Sequence, residues 1–206
     1  MNRKFVAKSN FVLRKVLNKK DSLDILKDFI EAILKIQIKE IVLKPYLKNK
    51  EKYLPKEENF GIADVRIKTL ENDEFNIGIQ IIDGYYIENK LLLYYAQIHA
   101  NQLEHENIKN IVDTITINIL DFSYFLGNEY HKTIKMQAST DSKEKIELHI
   151  IELPKFKINQ NIKTTKEEKW IRYLCENNFD ALDNESVKIK KLNYLLDKYW
   201  ENEKME

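Results

Sequence analysis

The sequence predicts a mixed α/β fold, in which helices flank a mixed β-sheet and a helical tail closes the chain. Three observations support this prediction. Two amphipathic helical segments open the chain, six strand-like segments follow with one helix among them, and helical periodicity returns after residue 165. Because strands and helices do not alternate regularly, the pattern favours a layered mixed sheet over a doubly wound βα repeat.

The first two elements are helices. The segment "NFVLRKVLN" (10–18) and the segment "DSLDILKDFIEAILKI" (21–36) both repeat their apolar residues at helical spacing. Asp21 or Ser22 can cap the second helix, because short polar side chains accept hydrogen bonds from the first backbone N–H groups.

Strand signals fill the middle of the chain. The segment "EIVLKPYL" is a strand that ends at Pro45. Residues 60–70 and 74–82 form a hairpin with Asn72 and Asp73 at its tip. In "TITINI" isoleucine alternates with threonine or asparagine, which indicates another strand, and "HKTIKMQA" and "KIELHIIEL" add two more.

A helix is expected directly after the hairpin, from Tyr86 to about Glu104, and two more close the chain in "KEEKWIRYLCEN" and "ESVKIKKLNYLLDKYWENEKME". The strands end near residue 160. We therefore assign residues 1–160 to one core domain and residues 161–206 to a helical C-terminal extension.

Composition excludes several classes of protein. A chain of 206 residues with 43% hydrophobic residues is long enough for one packed domain with an appendage. Its apolar runs, such as "LLLYYA", are too short to span a membrane. The first ten residues include no apolar run, so we expect no secretory signal. Cys175 is the single cysteine, so we expect a reducing cytoplasm. The histidines show no metal-ligand spacing, and His149 is expected on a strand surface.

Positive charge is concentrated at the N-terminus. The first 50 residues carry 13 Lys and Arg against 5 Asp and Glu, a net charge of +8, so the other 156 residues carry −7 of the total of +1. Such a basic end suits binding to a phosphate backbone, although a solvated helix face gives the same pattern. The candidate phosphate contacts, here called the basic cluster, are Arg14, Lys15, Lys19 and Lys20.

The polar face of the hairpin carries the candidate chemistry. Alternation along residues 74–82 places Asn76, Gly78 and Gln80 on one face, and Asp64 is expected across from them on the preceding strand. Phosphodiester hydrolysis with Mg²⁺ usually needs two carboxylates from neighbouring strands. Asp64 suits the first ligand position and Gln80 suits a third polar position. Gly78 stands at the second and offers no ligand.

These features resemble the PD-(D/E)XK nuclease superfamily, and specifically its recombination-promoting nuclease and transposase family, whose hairpin carries an aspartate followed by Glu-x-Gln. The segments "FIEAILK", "NKLLLYYAQIHANQL", "ITINILDFSYF", "IELPKF" and "EEKWIRYL" also resemble family segments in the same order. The resemblance covers roughly residues 8–180. It implies a restriction-endonuclease-like fold, DNA as the substrate class and Mg²⁺ as the cofactor.

The sequence departs from the family pattern at several positions. Asp64 and Gln80 match the family residues, but Gly78 replaces the glutamate. Asn10 replaces an acidic residue in the first helix, and Lys90 stands where an arginine is usual and is a further candidate DNA contact. One carboxylate leaves Mg²⁺ largely hydrated, so we expect weak or absent metal binding at Asp64.

Gly78 allows two interpretations. A glycine inside a strand marks a bulge or a close backbone approach, or here it records the loss of a ligand. The intact flanking pattern favours the loss. Glu88, at the start of the helix behind the sheet, is a possible substitute carboxylate. We expect Asp64 and Gln80 to share one polar concavity in either case.

Three functions are consistent with these observations. The favoured one is a DNA-acting family member with a degenerate site, deficient in cleavage, that binds DNA or an active relative or forms a homo-oligomer. The second is a working Mg²⁺-dependent DNA endonuclease that uses a substitute carboxylate. The third is an antitoxin- or immunity-like protein-interaction module.

Overall fold

The structure is a computed structural model, and it describes residues 10–44, 61–82, 84, 86–104, 107–137, 145–156, 165–175 and 186–203. The helices are α1 (Asn10–Leu17), α2 (Leu23–Leu34), α3 (Ile87–Asn101), α4 (Lys166–Cys175) and α5 (Val187–Glu203). The strands are β1 (Ile38–Leu43), β2 (Ala63–Thr69), β3 (Glu74–Ile82), β4 (Asp113–Leu120), β5 (His131–Gln137) and β6 (Lys145–Glu152). Every helix and strand predicted above is present in the predicted order, so the mixed α/β prediction is confirmed.

The strands of the described chain form one mixed sheet in the order β1-β2-β3-β4-β6-β5. The pairs β3–β4 and β4–β6 are parallel, and the pairs β1–β2, β2–β3 and β5–β6 are antiparallel. A parallel neighbour requires a long crossover, and α3 lies within the one between β3 and β4. The hairpin turns as predicted, with Asn72 in the left-handed region (φ 70°) and the Thr69 N–H donating to the Asp73 carbonyl at 2.9 Å.

The described helices cover the two faces of the sheet unequally. Helices α1, α2, α4 and α5 pack together on one face and share a large apolar core with it. On the other face α3 packs against β3 and β4 with smaller apolar clusters around Leu91, Tyr94 and Ile98. The polar face of the hairpin therefore lies beneath α3.

The C-terminal helices pack onto α2. The Trp170 indole Nε1 donates to the Asp28 carboxylate at 2.9 Å, and Lys188 contacts the Asp24 carboxylate at 2.6 Å. The predicted domain boundary at residue 160 lies outside the described residues. Across the helices that are described, none has the length and apolar character needed to cross a membrane.

The capping expectation for α2 is wrong. Ser22 occupies the N-cap position, but its side chain makes no capping hydrogen bond. The Ser22 hydroxyl instead donates to the Val16 carbonyl at 2.7 Å, because the chain folds back there from α1. This bond links the residue before α2 to the last turn of α1.

Candidate functional site

The hairpin register brings the predicted residues to one face of the sheet. Asp64 on β2 pairs directly with Gly78 on β3, and Gln80 lies two residues further along the same strand. Side chains two apart on a strand share a face, so Asp64, Gly78 and Gln80 lie on the α3 side. Both polar side chains are buried, with exposures of 5% for Asp64 and 1% for Gln80. They therefore lie in a closed layer under the helix.

Strand β4 extends this polar face into the centre of the sheet. Its register pairs Gly78 with Thr116 and Gln80 with Asn118, and both β4 residues are fully buried. The Gln80 amide nitrogen donates to the Asn118 amide oxygen at 2.7 Å. Asn118 in turn donates to the Thr116 hydroxyl at 2.9 Å and to the His149 carbonyl at 3.1 Å. The amide of Gln80 is thus used within the sheet.

Tyr94, from the inner face of α3, occupies the space beside Asp64. Its phenol oxygen lies 3.2 Å from Asp64 Oδ1 and 3.0 Å from the Ile79 carbonyl, and its single proton is shared between these acceptors. Two glycines make room for the ring. A Cβ atom on Gly78 would lie 2.9 Å from the phenol oxygen, and one on Gly61 would lie 2.8 Å from it.

The strand backbone itself does not require glycine at position 78. The pairing of β2 with β3 runs through this residue without a bulge, and Gly78 is absent from the residues with positive φ. The constraint comes from packing, since a Cβ atom would also lie 3.0 Å from Ile98 Cγ1. Gly78 therefore marks a close approach of α3 to the sheet.

The proposed substitute carboxylate lies elsewhere on α3. Glu88 is exposed in the first turn of the helix, whereas the inner face is formed by Ile87, Leu91 and Tyr94. In the parts of the chain that the structure describes, no group of three or more His, Cys, Asp or Glu residues is placed to hold a metal ion. Asn10 begins α1, and its side chain lies outside the described part.

The basic cluster lies at the end of α1 and in the turn that follows. Lys15, Lys19 and Lys20 are exposed, and Arg14 is half-buried. The Asn18 side chain within this stretch donates to the Ile62 carbonyl at 2.6 Å, two residues before Asp64. The turn is thereby attached to the start of β2. Lys90 lies apart from the cluster, half-buried on α3.

A chain of four titratable side chains, which we call the His–Glu network, joins β5, β6 and α4. Glu147 contacts His149 at 2.8 Å, His149 contacts His131 at 2.9 Å, and His131 contacts Glu167 at 2.6 Å. The expectation that His149 lies on a strand surface is wrong, since only 5% of it is exposed. Residues from three distant segments form the network, so no local spacing could reveal it.

The hydrogen bonds of this network favour the ionised form of its two carboxylates. Each outer bond joins a ring nitrogen to a carboxylate oxygen, and the central bond joins two ring nitrogens. The hydrogen bond from His149 is the main cause that lowers the pKa of Glu147. Burial raises the pKa of Glu167, but the hydrogen bond and charge of His131, together with Lys35, outweigh burial and lower it.

The "IELPKF" segment has a structural role. The Glu152 carboxylate is fully buried, accepts from the backbone N–H groups of Tyr124 and Phe125, and pairs with Lys155 at 2.7 Å. The Lys155 ammonium also donates to the Phe125 carbonyl. This pair anchors the loop that follows β4, beside the polar layer.

The comparisons with known proteins agree with the resemblance seen in the sequence. A protein-family model described as PD-(D/E)XK nuclease family transposase matches residues 7–205. Neither the search of curated proteins nor the search of solved structures found a significant match. The family match spans nearly the whole chain, and the sheet with its flanking helices is consistent with the restriction-endonuclease-like fold of that superfamily. The chain therefore belongs to the PD-(D/E)XK nuclease family of transposases.

Proposed function

We propose that this chain is a DNA-acting family member that has lost all or most of its own cleavage activity. It acts by occupying DNA, or by associating with an active relative or with a second copy of itself. One observation carries the proposal: the Tyr94 phenol fills the space beside Asp64 that Gly78 leaves without a carboxylate.

The residues around Asp64 do not fit a Mg²⁺ site. Mg²⁺ requires several oxygen ligands in octahedral geometry, and its protein ligands are mainly carboxylates. Here Asp64 accepts from Tyr94, and Gln80 donates to Asn118. Gly78 adds no oxygen from a side chain. We therefore expect at most weak metal binding, and cleavage at or near background.

Support for DNA as the partner comes from family membership and from the basic cluster. Proteins of this family are described as nucleases and transposases, which act on DNA. The exposed lysines at the end of α1 lie next to the start of β2, where the polar face begins. A basic surface at that end of the sheet attracts phosphate groups. The single Cys175 suits a reducing, cytoplasmic setting.

The test is plasmid cleavage with Mg²⁺ and with Mn²⁺, comparing the unaltered protein with Gly78→Glu. We expect no cleavage from the unaltered protein. The glutamate restores the family spacing beside Asp64 and Gln80, so some Mg²⁺-dependent cleavage should appear once the Tyr94 ring moves aside. Adding Asp64→Ala to Gly78→Glu should remove this activity, and it serves as the control for contamination.

The contrary outcome is robust cleavage by the unaltered protein that Asp64→Ala abolishes. In that case a substitute carboxylate completes the site, and Glu88→Gln tests the candidate on α3. A different failure is the absence of duplex binding even at low salt. That result would favour the protein-interaction module over a DNA-acting protein.

A further inference from the structure

A lysine outside the sequence-predicted site lies directly beside Asp64. Strand β1 pairs with β2, with Val42 opposite Arg66 and Leu43 opposite Val65. One residue further, the Lys44 N–H donates to the Asp64 carbonyl at 2.9 Å. Directly opposed residues on antiparallel strands project to the same face. Lys44 therefore shares the face of Asp64.

The cover provided by α3 thins out at β1. Asp64 is buried under the helix, but Lys44 is half-buried, and Val42 on the same face is 56% exposed. Strand β1 is an edge strand of the sheet. Solvent thus reaches this face at Val42, one strand away from β2.

Two basic residues of β2 on this face, Arg66 and Lys68, pair with an acidic residue. Arg66 lies 3.0 Å from the Glu74 carboxylate, and Lys68 lies 3.6 Å from it. These contacts concentrate ion pairing towards the hairpin tip. Lys44 lies at the opposite end of the β1–β2 pair, next to the start of β2.

The basic cluster reaches the same corner of the sheet. Asn18 holds the turn with Lys19 and Lys20 against the Ile62 carbonyl, and Lys44 is held against the Asp64 carbonyl. The two attachment points are two residues apart in the chain, so they lie within roughly 7 Å of each other. Lysines from β1 and from the α1–α2 turn thus flank the first residues of β2.

We propose that Lys44 is a phosphate-contact residue that continues the basic cluster across the end of β2 to Asp64. This inference rests on the proposed function, since it requires that the chain binds DNA. Its ammonium offsets the negative charge of Asp64, which would otherwise repel a DNA phosphate at a site that does not fit a metal ion. A duplex backbone can then lie along this rim.

The experiment measures binding of a fluorescently labelled duplex by anisotropy over a series of salt concentrations. Each phosphate contact contributes about 0.9 to the slope of log K against log salt. We expect Lys44→Ser and Lys44→Gln each to flatten the slope by about one contact. Their loss of affinity should accordingly be about threefold larger at 50 mM than at 200 mM salt. Lys39→Ser, exposed at the other end of β1, is the matched control and should leave the slope unchanged.

Two results would overturn the inference, and they can be told apart. In the first, the unaltered protein binds the duplex, and the Lys44 variants and Lys39→Ser show the same salt dependence of log K as the unaltered protein. Lys44 then makes no phosphate contact, and the proposed function stands. If the unaltered protein does not bind even at low salt, the proposed function fails and this inference fails with it. Unchanged melting temperatures establish that the variants are folded.

Discussion

Gly78→Ala tests whether packing under α3 requires a glycine at this position. The substitution adds one methyl group and no ligand, so it separates packing from metal chemistry. The added Cβ atom would lie 2.9 Å from the Tyr94 phenol oxygen, 3.0 Å from Ile98 Cγ1 and 3.1 Å from Tyr94 Cε1. Tyr94 and Ile98 are each 1% exposed, so either side chain must displace packed neighbours to make room.

The expected size of the effect follows from two opposing contributions. Replacing glycine by alanine inside a strand normally stabilises by about 0.5–1 kcal/mol, because the unfolded chain loses freedom. Inserting a methyl group into a filled core usually costs about 1–3 kcal/mol. The contact distances indicate that Gly78→Ala inserts a methyl group into a filled core. We therefore expect the free energy of unfolding to fall by about 1–2 kcal/mol in total. For a chain of this size that lowers the melting temperature by roughly 2–8 °C.

Calorimetry and urea unfolding of a double-mutant cycle provide the assay. Tyr94→Phe removes the phenol oxygen, the atom nearest to the added Cβ. The lost hydrogen bonds to Asp64 and Ile79 should lower the free energy of unfolding by about 1 kcal/mol. In that background Gly78→Ala should cost about 1 kcal/mol less than it does alone. If Gly78→Ala raises the stability instead, the ring yields without cost, and the packing explanation of the glycine is refuted.

Three further predictions follow from the other contacts. Serine substitutions at all four residues of the basic cluster should weaken duplex binding by a similar factor for every DNA sequence. The slope of log K against log salt should become shallower by about one unit per lost contact. An unchanged slope would show that the cluster is only a solvated face. Because the folded-state pKa of Glu167 lies below its unfolded value, the stability it contributes is present above about pH 4.3 and is lost as pH falls through the folded pKa. Glu167→Gln should therefore reduce the acid sensitivity of urea unfolding in that range, and an identical pH profile would contradict the role of His131. Lys155→Met removes the cationic partner of the buried Glu152 carboxylate and should lower the free energy of unfolding by about 3–5 kcal/mol, with partial recovery on adding Glu152→Gln. A loss below about 1 kcal/mol would show that the pair does not anchor its loop.

The sequence predicted the geometry of the hairpin well, because strand side chains alternate with a period of two. Parity alone placed Asp64, Gly78 and Gln80 on one face, and the register agrees. Parity does not report what covers a face or how closely. The sequence predicted the helix that carries Tyr94, but the depth of its ring depends on Gly61, which lies 33 residues away.

The features that sequence inspection missed involve side chains from distant segments. His131, His149 and Glu167 belong to two strands and a helix, and they meet only because β5 and β6 pair and α4 packs over them. Lys44 was missed for a related reason. Its position opposite Asp64 depends on the register of β1 against β2, and a bulge between Ile38 and Glu40 shifts that register.

The polar layer under α3 also determines how the folded chain opens. Most of the buried apolar surface lies on the other side of the sheet, in the core shared by four helices. Helix α3 instead packs through two smaller apolar clusters and over amide and hydroxyl groups, to which water can hydrogen-bond once the helix lifts. Local openings require less free energy than global unfolding where apolar contacts are few. Helix α3 should therefore detach while the sheet stays intact, and Asp64 becomes accessible only in that minor population. Any ion or reagent that binds Asp64 then has its apparent affinity reduced by the fraction of molecules that are open.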